Sequence, residues 1–215
     1  MTDGTAWLAA PRAIAFGGYW VVLARGLSMQ ELADRLAATV ADGGRHVAVG
    51  VGRQTAESLL DIMDEAFGDY SDGLGLRLGR SGEWTFAVAY GGWLDRFGGP
   101  ARLSDGGAHV VLLEYEEENA KLVPPQFAAF HEGRLVANFD LHLDASWGYE
   151  GVRGDPETAA RLQERLTAAG LPDPTRDRRD VHRTALGVVD AFFGLSLPKD
   201  AIVDGALPAV LLKAA

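Results

Sequence analysis

The sequence predicts an α+β protein: one curved, mainly antiparallel sheet of about six strands, with helices packed on one face and a helical C-terminal part. Three observations carry this prediction. From Glu83 to Leu143 several segments alternate large apolar with smaller or polar residues, as in Trp84, Phe86, Val88 and Tyr90, which is the period of a half-buried strand. The flanking segments instead repeat their apolar residues at helical spacing. Strands in a run followed by helices in a run segregate into a sheet with helices laid upon it. The 215 residues are read as a single domain, 1–215, with an arm over 1–18 and a helical part over 155–204; this length supports one sizeable core.

In chain order, Trp7 and Leu8 mark the arm as a segment that packs. Tyr19 to Arg25 is rich in aromatic and β-branched residues and predicts a strand ended by Gly26. Ser28-Met29-Gln30-Glu31 is a capping box: the Ser28 hydroxyl can accept from the third helical N–H while Glu31 reaches back. Leu32, Leu36 and Val40 continue that helix to Asp42-Gly43-Gly44. His46 to Val51 predicts a short strand, and Thr55 to Phe67 an amphipathic helix on Leu59, Leu60, Met63 and Phe67. After the turn-rich stretch Gly68 to Gly75, Leu76–Leu78 and Trp84–Tyr90 are expected to form a hairpin. His109, Val111, Leu113 and Tyr115 make one face of a later strand. Phe127–His131 and Leu135–Leu143 flank a hairpin turn, His131-Glu132-Gly133-Arg134. Asp155 as N-cap and Pro156 at the first helical position open another helix. Val181 to Phe193 is a further one, and Leu207 to Leu212 is an apolar tail expected to dock on the body.

Composition narrows the function classes. A hydrophobic share of 47% and a charged share of 23% are those of an ordinary globular domain. The formal net charge of -10 repels phosphate backbones, so nucleic acid is disfavoured as a partner and a basic protein suits better. With no cysteine, disulfides, thiolate metal sites and cysteine nucleophiles are excluded. The apolar stretch Ala13–Ala24 is too short to span a bilayer and lacks a leader's cleavage pattern. A cytoplasmic location and no membrane partner are therefore expected.

Three groups of residues are candidates for a site. Asn138, Asp140, His142 and Asp144 share one strand face or lie just past its end. Asp140, His142 and Asp144 offer carboxylate, imidazole and carboxylate at alternate positions, a weak metal or acid–base candidate set. A wet face of a one-sided sheet has the same composition. The acidic run Glu114, Glu116, Glu117 and Glu118 is either a solvated strand end or a docking surface for a basic partner. Trp93 and Phe97, in the Gly-rich loop Gly91–Pro100, either close over the core or rim a pocket. His46, His109, His131 and His182 are scattered. The glycine doublets lack the helix and lysine of a phosphate loop, no dinucleotide fingerprint follows a strand, and no cofactor is indicated.

Several stretches together resemble an uncharacterised actinobacterial family, domain of unknown function 6461. They are Arg25-Gly26-Leu27-Ser28 after a strand, Glu83-Trp84, Leu103-Ser104 with Gly107, and Phe130-His131-Glu132-Gly133-Arg134-Leu135-Val136. Phe139-Asp140, Trp147-Gly148 and Gly170-Leu171 complete the series. The resemblance spans about residues 19–204 and is weakest over His46–Gly75. It implies no activity, cofactor or catalytic residue.

Two readings follow. The first is a non-enzymatic cytoplasmic protein-interaction domain, of which immunity and antitoxin proteins are examples, meeting a basic partner through its acidic surface. The second is a small-ligand-binding domain or hydrolase with its site between the sheet and the Trp93 loop. What discriminates them is whether Asp140, His142 and Asp144 line a concavity or open water.

Overall fold

The computed structural model describes residues 4–14, 18–41, 44–92, 96–117 and 123–215. It is α+β with a single antiparallel sheet, but the sheet has nine strands rather than about six. In chain order the elements are β1 (Gly18–Arg25), α1 (Met29–Ala38), β2 (His46–Gln54), α2 (Ala56–Phe67), β3 (Leu74–Ser81) and β4 (Trp84–Gly91). These are followed by β5 (His109–Glu116), β6 (Gln126–His131), β7 (Arg134–Asp140), β8 (Arg153–Gly154), α3 (Pro156–Ala168), α4 (Arg178–Phe193), α5 (Lys199–Val203) and β9 (Leu207–Ala214). The strand order is β2-β9-β3-β4-β1-β5-β6-β7-β8.

The extra strands have a physical reason. The tail read as a docking segment is β9, which inserts between β2 and β3. Ala209 to Leu212 is buried on both faces, and a strand buried on both faces is a continuous apolar run without alternation. β8 is two residues long, below what any pattern can signal.

The helices occupy both faces of the sheet, not one. Trp20, Val22 and Ala24 of β1 face α1, where Leu32 and Leu36 complete one core. Tyr19, Val21 and Leu23 face the opposite way, toward α2 to α5, where Leu59, Met63, Leu162, Val181, Ala185 and Ile202 complete a second. Two-sided burial is visible in the run Tyr19-Trp20-Val21-Val22-Leu23-Ala24, every residue of which is buried. On β3 the second face carries Gly75, Arg77 and Gly79. A methyl at Gly79 would sit 2.3 Å from the ring of Phe86, its cross-strand neighbour, so glycine is required for that ring to lie on the strand.

Local chemistry sets the helix starts as expected. Ser28 Oγ accepts the Glu31 N–H while Glu31 accepts the Ser28 N–H at 2.8 Å. Thr55 and Asp155 cap α2 and α3, with Pro156 in the first turn of α3. We expect Ser28→Ala to cost about 1 kcal/mol, seen as a lower urea midpoint with an unchanged slope. The N-terminal arm is docked: the Thr5 N–H and hydroxyl both donate to the Asp190 carboxylate of α4, at 2.7 and 2.6 Å, and the Trp7 indole donates to Leu197 O.

Candidate functional site

β7 stops at Asp140, three residues before the Leu143 expected from periodicity. The Asp140 carboxylate ends it. It turns back to accept the Asp144 N–H at 3.2 Å, and the backbone N–H groups of His142 and Leu143 also point at it. Burial is the largest influence on this carboxyl and raises its pKa from the ordinary value. Leu143 follows in the left-handed region, φ 50°. Asp144 then caps a single 3-10 turn, Ala145–Trp147, by accepting from the Ser146 N–H and hydroxyl; these bonds hold its pKa down. Its other oxygen receives Arg178 of α4 at 2.7 Å.

Between these two carboxylates lies His142. Its ring packs edge-on against Tyr115 and His182, with centroids 5.9 and 5.6 Å away. Burial, then the nearby Arg178 guanidinium, lowers its pKa to about 4. The imidazole is therefore neutral at ordinary pH. Behind it His182 is 1% exposed, with Nε2 2.7 Å from the Tyr19 hydroxyl. Burial, then His142, takes the His182 pKa down to about 3, and burial raises that of the Tyr19 phenol.

His142 and Asp144 line a cleft of about 1090 Å3. Its walls are the loop from 143 to 154, the first half of α3, and the connection from 172 into α4. Val152, Ala159 and Val181 supply apolar surface, while Tyr149, Gln163, Arg176 and Arg178 supply polar groups. His142 and Arg178 also border a smaller cavity of about 220 Å3 with Tyr115, Glu116 and Glu117. Asn138 and Asp140 line a third, of about 110 Å3, beside Trp147. The row Asn138, Asp140, His142 and Asp144 thus borders concavities. It does not form a metal centre: among the described residues no group of three or more His, Asp or Glu could hold an ion.

The acidic run is divided. Glu114 and Glu116 lie on β5 opposite Trp20 and Gly18, on the sheet face that α1 covers. Glu117, past the strand end, accepts the Arg12 N–H at 2.9 Å and pairs with Arg179 of α4 at 3.3 Å. Glu118 and Trp93 lie outside the described residues. Phe97 stacks on Trp20, centroids 4.2 Å apart, against the core on the α1 side and away from the large cleft.

Sequence reasoning missed Tyr19, Tyr149, Gln163, Arg176, Arg178 and His182. A signal existed for His182 alone: with Ala185, Leu186 and Val189 it falls on the buried stripe of α4.

The sequence model of a family of unknown function, DUF6461, matches residues 2–196, and the chain belongs to that family. No curated protein and no solved structure matches it. No helix among the described residues is long and apolar enough to cross a membrane.

Proposed function

We propose that this DUF6461 member is a small-ligand-binding domain whose site is the cleft between the 143–154 loop, α3 and the start of α4. One observation carries the reading: His142 and Asp144 lie in the wall of a cleft of about 1090 Å3 instead of on an open sheet face. A large concavity with an apolar lining and a few convergent polar groups is the usual form of a ligand site. Binding is favoured over hydrolysis because an imidazole with its pKa near 4 is a weak base at neutral pH.

Ala160 lines the cleft from an exposed position on α3, so it can be enlarged without touching the core. Ala160→Trp is expected to leave stability within about 0.5 kcal/mol of wild type. It should also abolish the melting-temperature rise that a cleft ligand gives the native state. The check is a thermal-shift screen of small metabolites on both proteins. Compounds that stabilise both equally, or a screen without a single stabiliser, would refute the reading.

A second reading, a cytoplasmic interaction domain for a basic protein partner, draws on the net charge of -10. The open edge of β2 adds to it: Val47 and Val49 are 37% and 40% exposed there, and an unpaired edge strand invites another chain. A pull-down from host lysate that yields one abundant basic protein at low salt, lost at high salt, would favour it.

A further inference from the structure

The polar groups of the cleft are unequally committed. Both carboxylate oxygens of Asp144 are occupied, one by Ser146 and the other by Arg178. One oxygen of Asp173 accepts twice from Thr175. Gln163 Oε1 accepts from the Tyr149 hydroxyl at 2.9 Å and from the Val152 N–H at 3.1 Å. Two donors on that oxygen fix the amide's orientation, so its other end is the NH2 group. That NH2 has no acceptor among the described residues.

The arginines are likewise incompletely used. Arg176 gives only Nη2, to Thr184 Oγ1 at 2.8 Å, and Arg178 gives only Nη2, to Asp144 at 2.7 Å. Among the described residues neither Nε nor Nη1 of either arginine has an acceptor. Among the described lining side chains the acceptors left over are the second oxygen of Asp173, one ring nitrogen of the neutral His142, and the carboxylate of Glu150, whose side chain is 83% exposed at the rim, 3.6 Å from Arg153. The surplus inside the cleft is of donors.

We infer that the cleft takes an anionic amphiphile: a carboxylate or phosphate received by Arg176, Arg178 and the Gln163 NH2, with an apolar body laid on Val152, Ala159 and Val181. Guanidinium forks suit either oxyanion. The inference rests on the cleft being the ligand site, and it adds the sign and chemistry of the ligand's head.

The test is isothermal titration of the full chain with octanoate, octyl phosphate, octan-1-ol and octylammonium, which share one apolar body. At least one anion is expected to bind about tenfold or more tightly than the alcohol, the scale of one charge-assisted hydrogen bond, with octylammonium weakest. The tighter of the two anions identifies the head group. Gln163→Glu keeps the oxygen that holds Tyr149 and Val152 but replaces the NH2 with a second oxygen. It should weaken the anion about tenfold and the alcohol much less. Arg176→Met, which breaks only the Thr184 contact, should act in the same direction. If the alcohol equals the anions, or octylammonium binds best, the anionic head is wrong. The cleft itself then still stands, provided Ala160→Trp abolishes that binding. Silence from all four probes overturns both.

Discussion

Arg77→Met is expected to destabilise the protein by about 3–5 kcal/mol, the scale of leaving several buried acceptors without donors. Arg77 sits mid-way along β3 with no exposed surface. All five of its N–H groups are used. Nε donates to Gln54 O at 3.1 Å, and Nη1 to the Tyr90 hydroxyl and Ile202 O, both at 2.8 Å. Nη2 donates to Ala201 O and Gly205 O. No carboxylate is among these partners. The charge is stabilised by carbonyl dipoles, three of them from the last turn of α5 and the residues just after it, where helix carbonyls lack partners of their own. One guanidinium thereby ties the centre of the sheet to the junction between β2 and α2 and to α5. Methionine keeps the stem but leaves those acceptors buried without donors, each at about 1–3 kcal/mol before relaxation. Arg77→Lys keeps the charge but has three donors without the planar fork, so it should recover only part of the loss. Urea unfolding of the two variants decides the matter. A loss under about 1 kcal/mol for Arg77→Met, typical of an exposed arginine, would mean that the buried fork is not what holds α5.

Arg77 also shows where the sequence stops being informative. In Leu74-Gly75-Leu76-Arg77-Leu78-Gly79 it takes the place of an outward-facing polar residue between leucines. α2 packs on that face at Gly75, and α5, more than a hundred residues on, closes it over Arg77. Features written in neighbouring residues were legible: the Ser28–Glu31 capping box, the Asp155-Pro156 start and the turn at Gly133 stand where local chemistry puts them. Features made by distant segments were not. The period-two row drew attention to His142 and Asp144, but the cleft beside them depends on Gln163 and Arg178, brought there by two helices that carry no marker of the role. The two-sided sheet was half legible, since Tyr19 to Ala24 contains no polar face at all, whereas β9 resembled a tail because an entirely apolar run has no period to detect.

Lowering the pH from 7 to 5 is expected to cost about 2 kcal/mol of stability through His182 alone, at 1.36 kcal/mol per pH unit below the unfolded pKa. In the folded protein its pKa is about 3 instead of the ordinary 6.5. Between these values the folded imidazole stays neutral while the unfolded one binds a proton. The unfolded state therefore gains protons as pH falls, and stability falls with it. The contribution is whole above about pH 6.5 and is lost progressively toward pH 3, a total of about 5 kcal/mol. His142, at about 4, acts in the same direction. The carboxylates with lowered pKa, Glu31, Asp69, Asp144, Asp155 and Asp173, also lose stability on acidification, but only below their own unfolded pKa values. Asp140 and Asp190, raised by burial, act oppositely, their contribution being lost as pH rises through their folded values. Between 6.5 and 5 the histidines are therefore the groups whose stabilisation is lost on acidification, since the lowered carboxylates act only below their own unfolded values. His182→Gln keeps an amide within reach of the Tyr19 hydroxyl and removes the titrating ring, so its stability should depend less on pH by about 2 kcal/mol between 7 and 5. Parallel curves for variant and wild type would mean that the folded ring takes up its proton near the ordinary pKa. That would require water or another polar group to reach the ring past the Tyr19, Tyr115 and His142 side chains packed around it.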